Sequence, residues 1–351
     1  MLDKLFLRSK FRGCLLGALV GDCCGAPFEG ELMDNRSKSL LRNNLDKLEG
    51  PYFKAPYKKY TDDTAMTICM ARTFLDPQGY SQSLLARNFV IEYFKDPNRG
   101  YGAAVGEVFM KLKKSKISDP VAPAREQFGG SGSYGNGSAM RVSPIPLYAL
   151  QCNKTVMIKL VQDTATITHA HILGINGAIL QALAIRQCLY LNPEKGFDWL
   201  QYLTELKNDI SEIEKTGDIL LEDHGQAYQK QLGVIEQLLE GQIEPNDENV
   251  LNLLGHSVEA LYSVPTAIYC FLLNTSQKGV NSTQKEHHAF RQTLEYAISL
   301  GGDTDTIASM ACAISGAYFG ESVISENILK HCEGTDVIKK CADDLLELQK
   351  I

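Results

Sequence analysis

The sequence is short of the patterns on which several function classes rest. Its ten cysteines contain no C-x-x-C pair and its seven histidines no H-E-x-x-H, which removes the usual thiolate zinc sites and the zincin peptidases. Cys69 and Cys312 lie inside apolar helical patterns, so the thiols read as reduced and mostly buried, an intracellular habit and not a disulfide framework. No stretch reaches the ~18–20 apolar residues needed to span a bilayer. Basic residues are outnumbered: 35 Lys and Arg against 42 Asp and Glu leave a net charge of −7. That excludes a broad surface for gripping duplex nucleic acid, though not an anion held in a local pocket. Alternating β patterns of any length are also missing. Hydrophobic residues at 44% and charged residues at 22% are globular values and rule out disorder and collagen-like structure.

Helical periodicity dominates what is present. Ala65, Met66, Cys69, Met70 and Phe74 recur at helical spacings over 62–75, and Asp76-Pro77 closes the run. Similar patterns cover 172–190, 226–240, 287–300 and 304–319. The segment 257–273 is apolar almost all round with Pro265 inside it, which predicts a buried helix kinked at the proline. A chain of 351 residues suits two domains of roughly 150 or one large one. The breaker-rich stretches 30–60, 117–137 and 240–250 are closely flanked by helical pattern, so none reads as a linker. The expectation is an all-α fold: a single compact multi-helix domain over 1–351. Near the N-terminus, Lys4, Arg8, Lys10 and Arg12 among Leu5, Phe6, Leu7 and Phe11 resemble an amphipathic presequence. Asp3, and an apolar pattern running unbroken through Leu15, Leu16 and Leu19, favour a helix of the folded chain, and the protein reads as soluble and intracellular.

Two short segments carry the chemistry. Tyr60-Thr61-Asp62-Asp63-Thr64 precedes one helical pattern, and Gly301-Gly302-Asp303-Thr304-Asp305-Thr306 precedes another. Capping explains one Asp or Thr per helix end. It does not explain doubled carboxylates, which repel unless something cationic lies between them. Short Asp and Thr side chains offer hard oxygen ligands suited to Mg²⁺, Mn²⁺ or Ca²⁺ and not to zinc. Glu29 sits in a glycine-broken loop, Gly25-Ala26-Pro27-Phe28-Glu29-Gly30, and Asp22 just before it is as well suited to bonding a neighbouring helix as to touching a metal. Asp62, Asp63, Asp303, Asp305 and Glu29 together carry −5 when ionised, which two divalent cations nearly neutralise. If the five acids converge, a dinuclear metal cleft is expected.

A third segment, Gly-Gly-Ser-Gly-Ser-Tyr-Gly-Asn-Gly-Ser at 129–138, runs toward Ala139-Met140-Arg141, where a helix start is expected. Glycines before a helix can present backbone N–H groups to a phosphate. No strand pattern precedes the loop and no G-K-[ST] follows, which disfavours Rossmann and P-loop sites. A flexible loop is the alternative. Tyr134 and Phe128 can stack on a base or ribose. Arg141 reads as a phosphate partner or a surface ion pair, and His169 as a helix cap or a ligand contact.

On these residues the chain resembles the ADP-ribosylhydrolase (dinitrogenase reductase-activating glycohydrolase-like) family. GCLLGALVGDCCGAPFE at 13–29, YTDDT at 60–64 and SLGGDTDT at 299–306 match its motifs in order. GGSGSYGNGSAMR (129–141), THAHILGINGAILQA (168–182) and VPTAIYCFL (264–272) are similar to its type-3 branch, the ADP-ribosylserine hydrolases that also degrade poly(ADP-ribose). The resemblance implies an all-α fold with two Mg²⁺ ions at the base of a cleft, held by Thr61, Asp62 and Asp63 from one side and Asp303, Asp305 and Thr306 from the other. Glu29 matches a mobile glutamate that gates the cleft and reaches the metals. Ser131, Gly132, Ser133, Tyr134, Gly135, Asn136 and Gly137 match the diphosphate and ribose loop, with Phe128 and Tyr134 flanking the adenosine. Asp62, His169 and Val258 match other substrate contacts. Catalysis would then fall to Glu29, Asp62, Asp63 and Asp303.

What the resemblance further implies is a monomeric enzyme of the cytoplasm and nucleus, or of the mitochondrial matrix. It would release ADP-ribose from serine-linked ADP-ribosylated proteins, poly(ADP-ribose) and O-acetyl-ADP-ribose in the DNA damage response, with no membrane or direct duplex contact. Three rivals stand beside it: a two-metal phosphoesterase cutting the pyrophosphate, a non-catalytic ADP-ribose reader or structural protein, and an arginine-specific hydrolase.

Overall fold

The computed structural model describes residues 3–51, 57–216, 225–276 and 283–350. It is helical throughout, with short 3₁₀ turns between helices and no strand among the described residues. The only extended pairings described are two isolated bridges, Lys58 with Cys332 and Gly135 with Glu259. Where periodicity predicts helices, the chain forms Asp62–Phe74, Ile172–Tyr190, Ala227–Leu239, Thr283–Ser299 and Thr304–Phe319. The buried apolar side chains make one continuous cluster from Leu7 to Leu346. Nine of the ten cysteines are buried, all ten are free, and Cys152 alone is exposed.

Three expectations need correcting. Pro265 does not kink a helix. It occupies the first turn of Val264–Thr275, after a separate 3₁₀ turn Ala260–Tyr262, because first-turn N–H groups have no partner within the helix and a missing one costs nothing there. No α-helix starts at Ala139 either. Asn136–Ser138 is a 3₁₀ turn and the next helix is Pro144–Tyr148, since Pro144 and Pro146 postpone regular hydrogen bonding. Finally, Ile172–Tyr190 is long and apolar enough to cross a membrane, with a mean hydropathy of 1.4, but 78% of that window is buried inside the protein. Its polarity is low on every side because helices pack around it.

The segment Lys4–Gly25 is a helix capped by Asp3. Its basic residues are tied into the fold: Arg12 pairs with Asp343 through two 2.8 Å bonds, and Lys4 bonds Glu347 at 2.7 Å. Lys10 is buried and donates to the carbonyls of Cys188 and Leu191 at 2.5 and 2.6 Å, closing the end of Ile172–Tyr190.

This first helix lies directly on Thr304–Phe319, backbone to backbone. Gly13, Gly17, Gly21 and Gly25 recur every fourth residue and so share one face. A Cβ at Gly17 would sit 2.2 Å from the Cys312 carbonyl oxygen, one at Gly21 2.3 Å from Ala308, and one at Gly25 2.5 Å from the Asp305 Cα. No side chain fits at those positions. The approach brings the end of the first helix against Asp305, where Thr304 Oγ1 donates to the Gly25 carbonyl at 2.9 Å.

Candidate active site

Two helix starts and one helix end meet at the cleft. Thr61 caps Asp62–Phe74, its hydroxyl accepting from the Asp63 N–H at 3.3 Å. Asp22, fully buried near the end of the first helix, accepts from the N–H groups of Thr61 (2.9 and 3.1 Å) and Thr64 (3.1 Å), and from the Thr64 hydroxyl (2.6 Å). These bonds commit Asp22 to fixing the Thr61-Asp62-Asp63 turn. On the other side, Gly301 and Gly302 both have positive φ, and a Cβ at Gly302 would lie 2.1 Å from the His256 carbonyl oxygen. Only glycine admits that turn, which delivers Asp303 with its N–H on the His256 carbonyl at 2.9 Å. The Glu29 loop is tied to the same turn by Gly30 N–H donating to the Gly302 carbonyl at 3.0 Å.

The acids converge. Glu29, Asp303 and Asp305 each bring a carboxylate oxygen to within 4.8 Å of the others. Thr306 Oγ1 donates to Asp63 Oδ2 at 3.3 Å, joining the two clusters directly. Glu29, Asp62, Asp63, Asp303, Asp305 and Thr306 line one cleft of about 320 Å³. Burial, then the neighbouring Asp305, raises Asp62 and Asp63 well above the carboxylate range. Burial and then Asp303 push Asp305 up to about 7. Asp303 and Glu29 are raised as well, burial leading in both.

These residues fit a hard divalent cation. Asp63 Oδ1 is buried with no hydrogen-bond partner, a costly state that a cation would relieve. The acids outnumber the cations in reach, and the donors are all oxygen. Asn136 Nδ2 donates to Asp303 Oδ2 at 2.5 Å and to Ser263 Oγ at 3.1 Å, which fixes the Asp303 carboxylate. Thr61 does not line the cleft, and its hydroxyl is turned to capping.

Along the glycine loop, Ser133, Gly135, Asn136 and Gly137 line the cleft, together with His169 and Val258. Ser131 and Gly132 do not. Ser131 is exposed, with its hydroxyl on the Phe128 carbonyl, and Gly132 packs against Ala170 and His171. The rings of Phe128 and Tyr134 are 6.1 Å apart and both exposed; neither lines the cleft, although their neighbours Gln127, Ser133 and Gly135 do. Phe128 adopts a left-handed backbone, φ 51°, which a non-glycine residue holds only at some cost.

The amides of Ser131, Gly132, Gly135 and Asn136 are engaged by Phe128, Gln127, Ser133 Oγ and Val258. His171, not His169, caps Ile172–Tyr190. His169 is buried, its Nδ1 2.8 Å from Thr168 Oγ1, and burial lowers it to about 3, with Arg141 adding to the shift. Arg141 is no surface ion pair. It is buried and donates to Gly137 O, Thr164 O and Thr168 Oγ1 at 2.8, 3.2 and 2.7 Å, with no carboxylate among these partners. Burial lowers it to about 9.

Sequence reasoning missed Gly100, the wall of Gly102, Ala103, Ala104 and Val105, and Gln127 and Met140, which also line the cleft. The Gly100-Tyr101-Gly102 pair was the available signal. Asn136–Ser263 carried none, since 127 residues separate the partners.

The profile of the ADP-ribosylglycohydrolase family matches residues 3–350. The chain belongs to the ADP-ribosylglycohydrolase family. It is 42% identical over 342 residues to ADP-ribosylhydrolase ARH3 of Mus musculus, covering 94% of this chain and 90% of the relative. To ADP-ribosylhydrolase ARH3 of Homo sapiens it is 40% identical over 344 residues, covering 94% and 92%. A solved structure titled ADP-ribosylglycohydrolase-related protein complex superposes with a TM-score of 0.64 over 97% of this chain and 98% of that one. At 18% identity that likeness speaks for the all-α fold alone. Membership in the family supports a glycosyl hydrolase, and the acidic cluster of Glu29, Asp303 and Asp305 agrees with divalent metal use.

Proposed function

We propose that this enzyme uses two Mg²⁺ ions to hydrolyse the O-glycosidic bond of ADP-ribosylserine in proteins and the ribose–ribose bonds of poly(ADP-ribose), releasing ADP-ribose. O-acetyl-ADP-ribose is a further substrate in this reading. The observation that carries it is the meeting of Asp62 and Asp63 with Asp303, Asp305 and Glu29 in one cleft, next to relatives called ADP-ribosylhydrolase ARH3 at about 40% identity.

Asp62 and Asp63, on the turn that Thr61 caps, would hold cations from one wall and Asp303, Asp305, Thr306 and Glu29 from the other. When bound, such hard cations supply Lewis acidity that can grip a ribose diol and acidify a water. Asn136 keeps the Asp303 carboxylate from rotating through its 2.5 Å bond. Glu29, exposed at the cleft mouth and raised in pKa, admits substrate and returns a proton to the departing hydroxyl oxygen. The other acids, Asp62, Asp63 and Asp303, orient the reacting sugar and water.

Because four amides of 131–137 already serve the fold, the diphosphate falls to those of Ser133, Tyr134 and Gly137. The buried guanidinium of Arg141 behind them, hydrogen-bonded to carbonyls and a hydroxyl, supplies positive charge for an anion in an acidic protein. Arg141 donates to Thr168 Oγ1, which frees the hydroxyl proton for His169 Nδ1 and leaves Nε2–H facing the cleft. Phe128 and Tyr134 clasp the adenosine, and Val258 closes its far side. We further propose a monomer acting as a single domain in the cytoplasm and nucleus, or the mitochondrial matrix, that reverses ADP-ribosylation during the DNA damage response.

The test is incubation with ADP-ribosylserine and ADP-ribosylarginine peptides, with and without Mg²⁺, products identified by mass. Free ADP-ribose from the serine peptide alone is expected. AMP plus a ribose phosphate on the peptide would show a phosphoesterase instead, and release from the arginine peptide alone would reassign the linkage.

A further inference from the structure

We propose that Arg99 is a positioning residue for the cation-binding turn and that Glu333, from the far end of the chain, locks it in place. The inference rests on the reading that Asp62 and Asp63, on the turn after Tyr60, help hold a cation. Neither Arg99 nor Glu333 lines the cleft, yet both ends of Arg99 grip the turn. Its guanidinium donates to the Tyr60 carbonyl at 2.8 Å and stacks on the Tyr60 ring, 3.9 Å from its centroid. Its own carbonyl accepts from the Asp62 N–H at 2.8 Å. The next residue, Gly100, runs so close that a Cβ there would lie 3.4 Å from Asp62 Oδ1.

Arg99 is itself fixed by a bidentate pair with Glu333, 3.0 Å on each arm; Asp96 lies 3.0 Å from Nε as an ion pair without hydrogen-bond geometry. Glu333 has little freedom to move. Its N–H donates to the Lys58 carbonyl at 2.8 Å, and Lys58 N–H donates to the His331 carbonyl at 2.9 Å. Gly334, at φ 83°, approaches the Tyr60 ring so closely that a Cβ would lie 3.0 Å from it.

Tyr60 is therefore packed against both the guanidinium and the 333–334 backbone, and the turn that follows it starts from a fixed point. An isolated ion pair of this partly exposed kind would add little to stability. Its bidentate geometry, and the guanidinium's bond to the Tyr60 carbonyl and stacking on the Tyr60 ring, suit it to aiming Asp62 instead. Groups that orient a ligand without touching the metal typically contribute roughly ten- to hundredfold in affinity.

The experiment is a calorimetric titration of the full chain with Mg²⁺ and, separately, Mn²⁺, alongside thermal denaturation in chelator. Arg99→Gln is expected to weaken cation binding roughly ten- to hundredfold with a small change in the chelated midpoint. Arg99→Lys, which keeps the charge but not the fork, is expected to recover only part of it, and Glu333→Gln to fall between. Arg12→Gln breaks a similar bidentate pair, with Asp343, between the first and last helices and is expected to leave cation affinity unchanged. Should Arg99→Gln fail to fold, Glu333→Gln carries the test. Cation affinity in Arg99→Gln and Glu333→Gln equal to that of the unaltered protein overturns the proposal. An unaltered protein that binds neither cation overturns the metal reading itself, and this inference with it.

Discussion

Asp303 and Asp305 project from either side of the start of one helix into the same cleft, and Asp303→Ala or Asp305→Ala is expected to cut turnover by roughly a thousandfold or more, since metal-assisted charge stabilisation is worth several kcal/mol. Steady-state release of ADP-ribose checks it. Asp22 differs from its neighbours because all its described bonds are structural. Asp22→Ala strands the N–H groups of Thr61 and Thr64 and the Thr64 hydroxyl, and is expected to cost about 3 kcal/mol or more in chemical denaturation. The sequence displayed every acid, and doubling at helix starts distinguished the ligand candidates from caps. It left Asp22 ambiguous because its partners lie 39 and 42 residues away. Arg141 was misjudged for a related reason: its acceptors are a hydroxyl and carbonyls from the 137–168 region, and carbonyls leave no trace in composition.

Helix positions follow periodicity closely, because an amphipathic or fully apolar pattern is a local property that packing then confirms. The departures fall at prolines 144 and 265, where first-turn placement and interruption look alike in sequence. The Gly13-Gly17-Gly21-Gly25 spacing was visible, but only the partner helix reveals that it permits contact between backbones. Gly17→Ala would place a methyl 2.2 Å from the Cys312 carbonyl oxygen. It is expected to destabilise the fold by about 1–3 kcal/mol and, by displacing Asp305, to weaken cation binding in the same protein. Gly233, inside the helix Ala227–Leu239, has open space where its Cβ would go. Gly233→Ala is expected to raise stability by about 0.5–1 kcal/mol. Paired denaturation curves compare the two substitutions.

At the scale of the molecule, a protein of net charge −7 concentrates acids where water is scarce, and its stability is expected to depend on pH and, in the proposed metal reading, on cation as well. Asp22 and Asp305 rise from 3.8 to about 7 on folding, burial being the leading cause in both. Between those values the folded state binds more protons than the unfolded chain, so stability is fully present below the unfolded pKa and declines as pH rises toward 7. In chelator the thermal midpoint is expected to fall from about pH 5 to about pH 7.5. In the proposed two-cation reading Mg²⁺ would bind the ionised acids, so it is expected to restore more of the midpoint at the higher pH. Equal Mg²⁺ shifts at both values would contradict the linkage. Fold and family were legible because motifs spread over the chain had to remain in register to build one cleft. The linkage cleaved stays a proposal, because Glu29 and Val258, which line the cleft, are exposed and packing constrains them least.

The central claim is that acids far apart in sequence gather a pair of hard cations. Crystals grown with Mn²⁺, with diffraction recorded for its anomalous signal, test this most directly. Two peaks between the Asp62–Asp63 turn and the Asp303–Asp305 turn are expected. An anomalous map empty at that position, from crystals showing Mn²⁺ elsewhere, would contradict the account.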